Sequence, residues 1–159
     1  MVSISGKIMK DKTIDYALRV AWQAIVKAYN GEASKEDSTM TIGFTLLSID
    51  PKTGTPSTTL GPKMGMEATS LSRTLNIMEQ KGLINRVKNP DDGRSVLIQL
   101  TPFGLKKREL SKEVVLHFNE VVEQEISEVK LQHFFEVTEK IIELVQSKKI
   151  YNTQKEFIK

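Results

Sequence analysis

The chain has 159 residues, 39% of them hydrophobic and 27% charged, with a formal net charge of +3; this is the size and balance of one globular domain, not of a disordered segment. It holds no cysteine, and its two histidines have no HxxxH or HExxH spacing. That excludes a disulfide scaffold, thiolate metal sites, a cysteine nucleophile and the common zinc-enzyme signatures.

No apolar run reaches membrane-spanning length and the first residues lack an apolar export core, so a cytoplasmic chain without a membrane partner is expected. Residues 12–30 read as an amphipathic helix, with Ile14, Leu18, Ala21, Trp22, Ile25 and Tyr29 at spacings of three and four and Gly31 as its stop. Residues 37–49 form a second helix around Met40, Ile42, Phe44, Leu46 and Leu47, capped by Asp37 or Ser38. Two prolines and a glycine make 50–56 a turn. Residues 57–64, with Pro62 inside, fit only a brief helix. Residues 67–81 are a clear helix stopped by Gly82. Residues 83–88 and 95–100 read as two strands, and NPDDGR between them carries hairpin turn chemistry. It is the only strand pair that the sequence predicts.

From Thr101 the helical period returns. Leu110, Val114, Phe118, Val121, Val122, Ile126 and Val129 form one stripe, and a further helix near 130–148 offers Phe134, Val137, Ile141, Leu144 and Val145. The last ten residues show no pattern. A lone hairpin is marginal and must lean on helices, so the fold class is mainly α with a small β-hairpin wing: a winged helix-turn-helix lobe over 37–100, wing about 83–100, flanked by helices at 12–30 and 105–148. The apolar stripe of the last helices asks for cover from a partner chain.

On a helical wheel, Leu71, Leu75 and Met78 make the inner face of 67–81. Thr69, Arg73, Asn76 and Gln80 lie nearly opposite, with Ser72 at the margin. Short polar groups plus Arg and Asn suit a helix that approaches base edges in the major groove; an ordinary solvated surface helix is the alternative, and such faces are usually richer in Glu and Lys. On the hairpin, Arg86 and Lys88 sit in the first strand and Arg94 leaves the tip, where an Arg can reach a minor groove. Asp91 and Asp92 oppose this unless one of them pairs with Arg94.

Residues 70–104, SLSRTLNIMEQKGLINRVKNPDDGRSVLIQLTPFG, resemble the MarR family of bacterial transcription regulators. The pattern is a recognition helix followed by Met78-Glu79-Gln80-Lys81-Gly82-Leu83-Ile84-Asn85-Arg86, then Asp92-Gly93-Arg94, then Leu100-Thr101-Pro102-Phe103-Gly104. The resemblance implies a homodimer clasped by the first and last two helices, 12–30 and 105–148. It implies a sequence-specific regulator, a repressor, on a near-palindromic double-stranded DNA operator. It places Thr69, Ser70, Ser72, Arg73 and Asn76 at the major groove, Arg94 at the minor groove with Asp92 bracing it, and Ser57 and Thr58 on phosphates. Two departures stand out. Gly61 and Pro62 replace small helical residues of the family and are expected to shorten the third helix. Gly93 replaces a commoner Arg or Lys, which removes one positive charge from the wing.

Trp22, Tyr29, Phe44, His117 and Phe118 are candidates for lining a site for a small aromatic or other organic effector; packing in the core or an interface is the plainer reading. No cofactor and no metal are expected. No Ser/His/Asp set, phosphate loop or recognisable carboxylate pair is present, so no enzyme is expected. The competing function is a winged-helix protein–protein interaction module that does not bind DNA.

Overall fold

The computed structural model describes residues 13–90, 92–93, 95–148 and 150. Among these, the elements run α1 (Ile14–Ser34), α2 (Met40–Ser48), β1 (Thr55–Pro56), α3 (Ser57–Met64), α4 (Ala68–Gln80), β2 (Ile84–Lys88), β3 (Val96–Leu100), α5 (Pro102–Glu125) and α6 (Glu128–Gln146).

Thr13 caps α1 by accepting from the Tyr16 amide. The helix passes straight through Gly31, contrary to the expected stop, because a helical glycine costs only about 1 kcal/mol. The turn comes later, at Asp37, whose φ is 50°. Asp37 and Ser38 therefore do not cap α2; Thr39 does, its Oγ1 accepting from the Ile42 amide at 3.2 Å.

The sheet has three strands rather than two, in the order β1-β3-β2, all antiparallel. Thr55 pairs with Ile98 and Pro56 with Leu97. A two-residue strand has no period to read, and Pro56 is tolerated there because β1 is an edge. Within α3, Pro62 removes one ladder bond, and the helix is brief as expected, eight residues from Ser57 to Met64.

At the end of α4, Gly82 adopts φ 68°. Its amide donates to Glu79 O and the Leu83 amide to Met78 O, each at 2.9 Å. That is the pairing of a Schellman stop, completed by burial of both Leu83 and Met78. The stop aims the chain into β2. Ile42, Leu46, Ile49, Leu60, Leu71, Leu75, Met78, Leu83, Ile84 and Ile98 then form one buried cluster, drawn from α2, α3, α4 and the sheet.

Thr101 starts α5. Its Oγ1 accepts from the Gly104 amide at 2.9 Å and donates to Gly82 O at 2.6 Å. The helix thus begins at Pro102, as the return of the helical period at Thr101 predicts. The expected stripe from Leu110 to Val129 is broken: α5 ends at Glu125, Ile126 lies in the connection and Val129 belongs to α6. The chain divides into two compact units at Val115 and Leu116, inside α5. In the second unit α6 buries none of its residues; Val129, Phe134, Phe135, Val137, Ile142 and Val145 are all more than half exposed. In the first unit α1 exposes Ile14, Tyr16, Leu18, Val20 and Trp22 and buries Tyr29 alone.

Candidate nucleic-acid interface

The geometry of α4 follows from its wheel. Leu71, Leu75 and Met78 are buried, and Thr69, Ser70, Ser72, Arg73, Asn76 and Gln80 are exposed. Thr41 of α2 joins Thr69, Ser70, Arg73 and Thr74 around a shallow depression. At the helix N-terminus Glu67 is the cap residue and makes no capping hydrogen bond. The first amides of α4 therefore remain outward, but a carboxylate stands beside them, which disfavours a phosphate at that end. On α3, Ser57 is half-buried and Thr58 exposed in the first turn.

The wing is closed at its base by a polar clasp that sequence reasoning missed. Asn89 and Ser95 are both buried, and Asn89 Nδ2 donates to Ser95 Oγ at 2.7 Å. The Ser95 amide and hydroxyl both donate to Asp92 O. Lys88 is exposed. Arg94 and Asp91 lie outside the described residues, so the expected Asp92–Arg94 brace is not described. Arg86 is not a free cation on the wing: its Nη2 donates to Asn76 Oδ1 at 2.6 Å, and its Nη1 lies 3.4 Å from Glu79 Oε2. It joins β2 to the exposed face of α4.

The family model of MarR matches residues 39–96, the stretch that runs from α2 through the polar helix α4 and β2 to the first residue of β3. Over this stretch the chain is similar to the MarR family. The regulator SarZ of Staphylococcus saprophyticus is 29% identical over 123 residues, covering 72% of this chain and 84% of that protein. The MepR–DNA complex of S. aureus superposes with a TM-score of 0.76 at 20% identity, covering 84% of this chain and 98% of that one. The PcaV regulator of Streptomyces coelicolor with its natural ligand gives 0.73 at 21%, covering 84% and 94%. At these identities the structural matches speak for the fold. The named relatives are transcriptional regulators.

Residues of α1, α2 and the start of α5 surround a second feature. Tyr29 and Phe44 meet edge to face at 5.5 Å. With Met40, Leu47, Leu110 and Val114 they line a cavity of about 60 Å³. Glu36 and Lys107 also border it, paired at 2.6 Å. The Lys107 ammonium sits over Phe103 as well. Of the five residues expected at an effector site, the cavity takes Tyr29 and Phe44. Trp22 is half exposed and does not line it. His117, with a side chain 78% exposed, and Phe118 belong to the second unit. Lys107 and Glu36 were not singled out from sequence: they are 71 positions apart, and each looks like an ordinary surface charge.

Burial pushes the Tyr29 phenol up. The hydrogen bond and charge of Lys107 hold the Glu36 carboxyl below its ordinary value, and Lys81 does the same for Asp37. Among the described residues no His/Cys/Asp/Glu group could hold a metal, and no helix is long and apolar enough to cross a membrane.

Proposed function

We propose that this chain is a cytoplasmic, sequence-specific DNA-binding regulator that represses transcription as a homodimer on a near-palindromic operator. The observation that carries this reading is the exposed face of α4: Thr69, Ser70, Ser72, Arg73 and Asn76 are all outward, opposite a fully engaged apolar face. A rigid helix with short polar side chains and one Arg can approach base edges. Ser57 and Thr58 add hydroxyls for backbone phosphates, and Lys88 and Arg94 add positive charge on the wing. The names of the relatives and of the DNA-bound MepR agree with it. The apolar residues left exposed on α1 and α6 support a second copy of the chain as their cover.

The proposal includes control by a small aromatic acid in the Tyr29–Phe44 cavity, where Lys107 supplies the cation for a carboxylate. A space of about 60 Å³ is smaller than the roughly 150 Å³ that takes up a benzene ring. A one-ring ligand must push α1, α2 and α5 apart, and that displacement is what would reach α4.

Titration of operator-containing genomic fragments against salt tests the DNA reading. Affinity that falls steeply with salt, with a slope reporting several phosphates, supports it. A flat response, or no retention of duplex in dilute buffer, sinks it in favour of a protein–protein module.

A further inference from the structure

Resting on the DNA-reading role just proposed, we infer that Arg86 sets Asn76 as a hydrogen-bond donor in the major groove, so that Asn76 selects guanine over adenine. An asparagine free in solution reads adenine with both ends of its amide, accepting from N6 and donating to N7. Here the accepting end is engaged. Arg86 Nη2 lies 2.6 Å from Asn76 Oδ1, and the guanidinium is steadied from its other side by Glu79 at 3.4 Å. Arginine only donates, so the amide atom facing it is the oxygen and the Nδ2 hydrogens point elsewhere.

Two physical effects follow. A cation on Oδ1 repels the N6 amino hydrogens of adenine and weakens that oxygen as an acceptor. The same cation polarises the amide and strengthens Nδ2 as a donor. Guanine, with N7 and O6 as adjacent acceptors, suits such a group; adenine, with an amino group beside N7, does not. Asn76 is exposed on the polar face of α4, and Arg86 comes from β2 beneath it. Arg86 is thus a positioning residue that acts through Asn76, and the wing strand enters base selection without touching a base.

The test is selection of bound fragments from random duplexes, run with the full chain and with Asn76→Ala, Arg86→Met and Arg86→Lys. Melting curves establish that each variant is folded. Asn76→Ala should flatten one symmetric pair of columns in which the parent prefers guanine. Arg86→Met should swing those columns toward adenine by about tenfold, the scale of a base-edge contact, while Arg86→Lys retains guanine. A merely structural Arg86 would lower affinity evenly and leave the columns alone. Adenine in those columns for the parent, no column flattened by Asn76→Ala, or columns indifferent to Arg86→Met each overturn the inference. No enrichment by the parent chain would instead remove the DNA-reading role itself.

Discussion

Gly104 packs against the backbone of Leu83. A methyl group built there would penetrate the Leu83 carbonyl and stand 2.9 Å from its carbon. Leu83 is buried and its oxygen also takes the Thr101 amide, so the obstacle cannot move aside. Gly104→Ala should therefore cost at least the ~1–3 kcal/mol of core overpacking, read by urea denaturation. Gly82 makes a contrast. Its Cβ would meet nothing within 4 Å, so Gly82→Ala carries only the left-handed backbone penalty, about 1 kcal/mol. A smaller loss at Gly104 than at Gly82 would contradict the packing described. Both glycines were legible in the sequence as motif positions, but their reasons differ and only the packing separates them. Glu36 offers a test by pH. Its carboxyl is lowered in the folded chain below an ordinary value near 4.5. The unfolded chain then takes up the proton first as pH falls, and the Lys107 contact stabilises fully above that value and is lost below it. The melting temperatures of the parent and Glu36→Gln should differ at pH 7 and converge as pH drops through the folded carboxyl's range. A gap that stays constant down to pH 3 would show that the pair adds nothing.

Among the elements, α4 was the most readable. Thirteen residues gave enough turns for the wheel to separate Leu71, Leu75 and Met78 from the polar face. Tertiary contacts added what the wheel omits: Arg86 draws Asn76 into a tie with β2, while no described partner engages the Arg73 side chain in a hydrogen bond or ion pair. Arg73→Ala should thus cost about 1–3 kcal/mol of operator affinity and relax discrimination at one or two base pairs. Equal losses on operator and on random duplex would strip Arg73 of base reading. The strand β1 marks the opposite limit. Two residues carry no alternation, and Pro56 argues locally against a strand; the pairing exists because β3 offers Ile98 and Leu97 across from it. The buried Asn89–Ser95 clasp was hidden for a similar reason. Two small polar residues near a turn look solvated until the chain folds back and removes them from water.

For the whole molecule, the exposed apolar side chains of α6 are the main unsettled surface energy. Phe134 and Phe135 touch edge to face at 5.6 Å and remain 52% and 58% exposed. If a second copy covers them, replacing both by Glu should weaken self-association by at least the ~2 kcal/mol of an interface hot spot, about thirtyfold. Sedimentation at micromolar concentration would then show monomers, and binding to a two-half-site operator would fall while the lobe itself melts unchanged. Sedimentation identical to the parent would exclude α6 from the interface. Order and spacing along the chain were enough for the helices, the hairpin and the MarR-like lobe, because helical period, caps and turn residues act over a few positions and survive in any tertiary setting. The Glu36–Lys107 pair, the membership of the Tyr29–Phe44 cavity, the third strand and the Arg86–Asn76 tie came from the folded chain alone. Each joins positions at least ten apart whose geometry is set by packing, and no local preference encodes a distance across the core.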